Sequence, residues 1–226
     1  MTECLQSHNT RRSIFTLSAI LLTTSACFSP PAVLLRDPTR VVTAGEYDQV
    51  LDRWTREREI IDVRGGFESR LDVAATYFSK EFRRAYVARY SDEGSASSAD
   101  RARMLASSLS TAESEHEFFV AFAPQYNRWG EIDRSSTVWR VRLVDDAGVE
   151  HAPLRFERHR TATGLDRAMF YYWSPWRLVY HLHFATENED HTPLIRPGAR
   201  HFILRMAGPY GTADLRWDLR WDLRRE

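Results

Sequence analysis

His181 and His183 stand one residue apart in a run from Trp176 to Ala185 whose alternate members Trp176, Leu178, Tyr180, Leu182 and Phe184 are apolar. In an extended chain, positions i and i+2 share a face, so the two imidazoles could point at one divalent ion. His151, His159 and His201, on neighbouring predicted strands, could add a third donor. The same alternation argues against a site, because it sends both histidines to the opposite face, which is expected to be solvated. No Glu-x-x-His spacing accompanies the pair, so no metal or other cofactor is expected, and His181 and His183 stand as the candidates should one exist. Glu187, Glu189, Asp190, Asp145 and Asp146 lack the alternating oxygen ligands and the glycine of a calcium loop. They are expected to be solvated loop acids.

The aromatic run Phe170, Tyr171, Tyr172, Trp173, Ser174, Pro175, Trp176, with Tyr126 and Trp129 upstream, is the other feature that could do work. Aromatics gathered on a loop stack on sugars or anchor protein contacts, so Tyr171, Tyr172, Trp173 and Trp176 form the expected binding face. The alternative is burial, since a chain that is 12% aromatic must place most of its rings in its core. Nucleophilic chemistry has no support: there is no Gly-x-Ser-x-Gly, no phosphate-cradling glycine loop, and no carboxylate pair legible in the spacing.

The elements that would position these residues follow from periodicity. Tyr47, Val50, Leu51 and Trp54 recur at helical spacing, and 67–78 alternates as a strand through Leu71, Val73 and Ala75. Ser79 is a natural cap for a helix carrying Phe82, Ala85, Tyr86 and Tyr90, and 99–112 reads as a second helix with Met104, Leu105 and Leu109 after the Gly94–Ser98 loop. Beyond Glu117 strand patterns dominate: 118–122, 136–144, 150–159 with Leu154 and Phe156 inward, 168–173, 176–185, 201–206 and 213–223. Asp145 to Gly148 forms a hairpin turn between the second and third. In the last strand Leu215, Trp217, Leu219, Trp221 and Leu223 share one face, which suits a closing edge strand or one that pairs with a partner. The expected fold is β-rich α+β: an antiparallel β-sandwich at 46–226 with a two-helix insertion near 79–113.

Composition excludes several classes. The 226 residues balance 31 Lys plus Arg against 31 Asp plus Glu, which argues against a nucleic-acid binder. Two cysteines cannot build a disulfide framework or a zinc finger. Lys80 is the sole lysine, a bias given no functional weight.

The first 27 residues read as an export signal: Arg11 and Arg12 supply positive charge, Ile14 to Leu22 a short apolar core, and Thr24, Ser25 and Ala26 small residues before a cleavage point. The apolar run is about half of the ~20 residues a spanning helix needs. Leu22-Thr23-Thr24-Ser25-Ala26-Cys27 resembles the lipobox of bacterial lipoproteins, with Thr24 where leucine is commonest. The resemblance implies cleavage of 1–26, lipidation of Cys27 and acylation of the new N-terminus. Thr10-Arg11-Arg12-Ser13-Ile14-Phe15 is similar to the twin-arginine export motif, although the same arginines serve equally as ordinary leader charge. Phe28, where enteric lipoproteins retained at the inner membrane carry Asp, implies the outer membrane. Residues 27–45, with Pro30, Pro31 and Pro38, are then expected to be a tether reaching about 60 Å at most. Loss of Glu3, Arg11 and Arg12 leaves 29 basic and 30 acidic residues.

Taken together, the sequence predicts a lipid-anchored envelope protein serving as a non-catalytic binding or structural module. Its partners would be the membrane, through Cys27, and an envelope protein or glycan. The alternative is a metal-dependent envelope enzyme using His181 and His183.

Overall fold

A computed structural model describes residues 30–37, 42–63, 66–126, 131–133 and 138–221. The leader, Cys27, Trp129 and Leu223 lie outside the described residues. Among the described residues, one turn of 3-10 helix lies at Ala44–Glu46, and ten strands form two five-stranded sheets accompanied by four α-helices. In chain order these are β1 (Val33–Leu34), α1 (Tyr47–Trp54), β2 (Thr55–Asp62), β3 (Glu68–Tyr77), α2 (Lys80–Glu93), α3 (Ser98–Ser114), β4 (Glu115–Pro124), β5 (Arg140–Val144), β6 (Glu150–His151), β7 (Arg155–His159), α4 (Gly164–Met169), β8 (Leu178–Ala185), β9 (His201–Gly208) and β10 (Gly211–Arg220). One sheet runs β1-β10-β9-β5-β6 and the other β2-β3-β4-β8-β7. Every pairing is antiparallel except that of β1 with β10. The molecule is thus the β-rich α+β sandwich expected, and α2 and α3 are inserted between two adjacent strands of one sheet.

Period-2 patterning builds the core between the sheets. Val73, Ala75 and Tyr77 of β3 lie beside Phe122, Val120 and Phe118 of β4, and these beside Leu178, Tyr180 and Leu182 of β8. Against them the other sheet sets Phe202, Leu204 and Met206 of β9 and Ala213, Leu215 and Trp217 of β10, all buried. Phe118 contacts Phe202 and Trp217, with ring centroids 6.1 and 5.6 Å apart. Burying a large side chain here is worth about 1.5–3 kcal/mol each. Trp217 Nε1 donates to the Trp54 carbonyl at 2.9 Å, and Arg56 Nε to the Arg216 carbonyl at 2.8 Å, which ties the start of β2 to β10.

On the second face of the β2–β7 sheet, helices cover the middle strands, while Glu57 and Glu59 of β2 and Arg155, Glu157 and His159 of β7 stay exposed. Ser79 caps α2, its hydroxyl accepting from Phe82 N at 3.0 Å. That helix lays Phe82, Arg83 and Ala85 onto the sheet, all buried. In contrast, α3 has no fully buried residue and lies loosely against α2. The short α4 starts with Thr163 and Asp166 in a reciprocal capping box.

Four expectations need correction. The 150–159 strand is two strands: β6 pairs with β5 and β7 with β8, so the chain crosses between sheets at Ala152–Leu154. Pro153 cannot donate to a ladder, and Leu154, expected inward, is 61% exposed. The 168–173 strand is instead the end of α4 and a turn, because the Thr163–Asp166 box starts a helix that Met169 ends in the core. Trp176 is 77% exposed and precedes β8 instead of joining its apolar face. Finally, the end of β10 is not an open edge: Val33 and Leu34, within the stretch expected to be a tether, pair with Leu219 and Arg220, while Gly211–Asp218 ladder with β9. Asp37, three residues on, holds Arg84 of α2 through two bonds of 2.8 Å.

Candidate metal centre

The helix-covered face of β4 and β8 carries Glu117 and Phe119 beside His183 and His181 in register. Odd positions of β7 extend the row, with Arg155 opposite His183 and Glu157 opposite His181. Alternation does put the histidines away from the inter-sheet core, as expected. The expectation of a solvated face fails at the histidines: His183 is 4% exposed, and α2 and α3 overhang Glu117 and His181.

Each histidine is backed by a carboxylate. His183 Nδ1 is 2.9 Å from Glu115 Oε2, and His181 Nδ1 is 2.5 Å from Glu117 Oε1. Burial opposes ionisation of Glu117, but the His181 hydrogen bond and the charges of His181, Arg83 and His183 outweigh it and hold the carboxyl at about 2. Glu115 is likewise lowered: burial opposes, while bonding and charge from Arg155 and His183 prevail. An ionised carboxylate only accepts, so each Nδ1 must carry the hydrogen, and in the neutral ring each Nε2 keeps its lone pair. His183 Nε2 is buried without a hydrogen-bond partner; Glu157 Oε1 lies 3.7 Å away, beyond bonding reach. Arg83, almost wholly buried, holds Glu117 Oε2 at 2.8 Å from α2. Arg155 holds Glu115 and Glu157 from the edge strand.

One donor atom from each of Glu117, His181 and His183 lies within 4.8 Å of the others. Two imidazoles and a carboxylate are a donor set that suits zinc and similar ions, and Glu115 behind His183 is the outer-shell partner that ligating histidines ordinarily have. With both imidazoles neutral, as ligands must be, Glu115, Glu117 and Glu157 outnumber Arg83 and Arg155 by one charge, which suits a cation. The Glu117–His181 contact is a position where an ion would take the place of the shared proton.

The cluster opens on a cleft of about 810 Å³ between α2, α3 and the sheet, with Phe78, Tyr86, Met104 and Ser108 on its walls and Glu117 and His181 on its floor. The loose seating of α3 leaves this volume unfilled.

Other candidates are dispersed or spent. The His159 ring is 4.8 Å from that of His181 but outside the ligand cluster, and burial together with the His181 charge lowers its pKa. His151 and His201 belong to the other sheet. The acidic groups do not gather: Asp145 accepts from the backbone of Ala147 and Val149, Asp146 pairs with Arg196, and Asp190 bonds Thr192.

The aromatic run divides by position. Phe170 stacks on Phe119 with centroids 3.8 Å apart, and Tyr172 is buried with its hydroxyl 2.6 Å from Thr76 Oγ1, so both are core. Tyr172 thus leaves the expected binding face. Tyr171 is 61% exposed, Trp176 is open, and Trp173 is half-buried against Phe119 and His159. Spacing could not have revealed Glu117, which stands 64 positions before His181 and reads in sequence as one more charge ahead of an apolar strand.

No family model, curated protein or solved structure matches this chain. Among the described residues, no helix is long and apolar enough to cross a membrane.

Proposed function

We propose that the domain is a metal-dependent module of the cell envelope, in which Glu117, His181 and His183 hold a divalent ion of the zinc class on the floor of the α2–α3 cleft. One observation carries this reading: His183 Nε2 is buried and without a hydrogen-bond partner while Nδ1 is committed to Glu115. Leaving a buried polar atom unmet costs about 1–3 kcal/mol, which a bound ion would recover. Glu117, His181 and His183 would hold the ion, and a bound ion of this class would supply a polarised water or carbonyl for hydrolytic chemistry. The protein's own part is to orient the His183 ring through Glu115, to neutralise Glu117 Oε2 with Arg83, and to keep His183 buried. This supports the enzyme alternative over the non-catalytic module.

The test is metal analysis of protein purified without chelators or added metal, followed by melting with and without chelator. Near-stoichiometric zinc-class metal, a chelator-dependent fall in Tm, and loss of both in His183→Ala are expected. Metal-free protein that neither takes up added zinc nor shifts in Tm would overturn the reading.

We also propose that Cys27 carries the lipid that its leader implies. Because Val33 already belongs to a sheet, the chain from Cys27 to β1 reaches only about 20 Å. The sandwich would sit against the bilayer instead of on a long tether. Cys27→Ala should move the protein from the membrane to the soluble fraction; retention would contradict the anchor.

A further inference from the structure

A second concavity, of about 320 Å³, lies between the end of β7, α4 and the 170–177 loop. Its wall includes Arg158, His159, Arg160, Arg167, Trp173 and Arg177, with no carboxylate among the described residues that line it. Four guanidinium groups on one small hollow repel each other, and the resulting positive potential concentrates anions there.

The four are not equivalent. Arg177 is fixed by Asp72 at 2.6 Å and by the Tyr172 carbonyl at 3.3 Å, and Arg158 stands 4.0 Å from Glu131 and over the Tyr180 ring. These two are held in place with their charges partly met. Arg160 and Arg167 make no ion pair among the described residues and are exposed, so their charge is available to a ligand. Asp166, the acid beside Arg167, is spent on the Thr163 cap. Trp173 adds an apolar ring face, half-buried against Phe119 and His159, hence rigid. Guanidinium forks match phosphate oxygens, and an indole face matches the CH-bearing face of a sugar.

We propose that this hollow binds a phosphate monoester carried on a sugar-like ring, the phosphate on Arg160 and Arg167 and the ring against Trp173. The inference is independent of the metal reading, since Glu117, His181 and His183 lie outside this wall.

Calorimetric titration of the full protein tests it with glucose 6-phosphate, inorganic phosphate and glucose as probes. Vesicles of phosphatidylcholine with and without phosphatidic acid form a second arm. Saturable binding of glucose 6-phosphate is expected, tighter than inorganic phosphate, absent for glucose, and weakened by salt. Arg160→Gln with Arg167→Gln should weaken it about tenfold or more, and Trp173→Leu should remove the preference over inorganic phosphate. Binding to phosphatidic acid vesicles with the same arginine dependence supports the same chemistry and assigns a lipid source. Absence of saturable binding by every phosphate probe would overturn the proposal, as would unchanged affinity in the double variant. Both arginines are exposed, so the variant should fold, and each single change, Arg160→Gln or Arg167→Gln, provides a milder control.

Discussion

Arg83 Nη2 lies 2.8 Å from Glu117 Oε2, and both side chains are buried. The pair joins the inserted helix α2 to the central strand β4, and it sets the floor of the cleft. Arg83 also donates from Nε to the Phe78 carbonyl at 2.9 Å. Arg83→Met should therefore cost about 3–5 kcal/mol in urea unfolding, because it removes the buried cation from Glu117 Oε2 and leaves His181 as that carboxylate's remaining partner among the described residues. Arg83→Lys should recover only part of the loss, since a single nitrogen cannot occupy both the Nε and Nη2 positions from which Arg83 meets the Phe78 carbonyl and Glu117. A cost within about 0.5 kcal/mol for the Met variant would show that the pair does not anchor the insertion.

The aromatic loop makes a contrast within seven residues. Tyr172 closes a chain of hydroxyls in which Thr55 and Thr76 are 2.6 Å apart, as are Thr76 and Tyr172. Tyr172→Phe should lower stability by about 1–2 kcal/mol, whereas Trp176→Ala should change it by less than about 0.5 kcal/mol. Thermal melts of the two variants check both numbers, and equal costs would contradict the division of the loop into core and surface.

Gly208 ends β9 where the Trp139 ring closes over it. A Cβ there would meet Trp139 Cε3 at 2.7 Å and the Val138 carbonyl oxygen at 2.8 Å. Gly208→Ala should cost about 1–3 kcal/mol by overpacking. Adding Trp139→Leu should cancel part of that cost, which a double-mutant cycle would measure.

The N-terminal strand is held by Asp37 and Arg84. The Arg84 hydrogen bond lowers the Asp37 pKa against an opposing effect of burial, and the Arg84 charge adds to the lowering. A carboxyl lowered in the folded state contributes stability above its unfolded pKa and loses it as pH falls through the folded value. For this half-exposed pair the contribution should be about 0.5 kcal/mol. Asp37→Asn should thus be less stable than the parent at pH 7 and indistinguishable from it near pH 2. A difference that persists undiminished in acid would assign the effect to packing.

Much of the fold was legible. The helical spacing of Tyr47, Val50, Leu51 and Trp54, the Ser79 cap, and the shared face of Leu215, Trp217 and Leu219 all express local rules, and all hold. Where local rules fail, a second local signal outweighs the first. Pro153 splits an alternating run between two sheets, and the Thr163–Asp166 box turns an apolar stretch into a helix.

The sequence by itself determined which residues alternate and therefore that His181 and His183 face away from the inter-sheet core. Side-chain period is a property of one strand and needs no partner. What lies on that face was decided by tertiary structure alone. Register brings Glu117 beside His183, the insertion lays Arg83 over Glu117, and β7 adds Glu157 from the edge. Strand pairing joins residues at sequence distances that no spacing rule spans, so a face that periodicity reads as wet became a buried, charged pocket only when two helices closed over it.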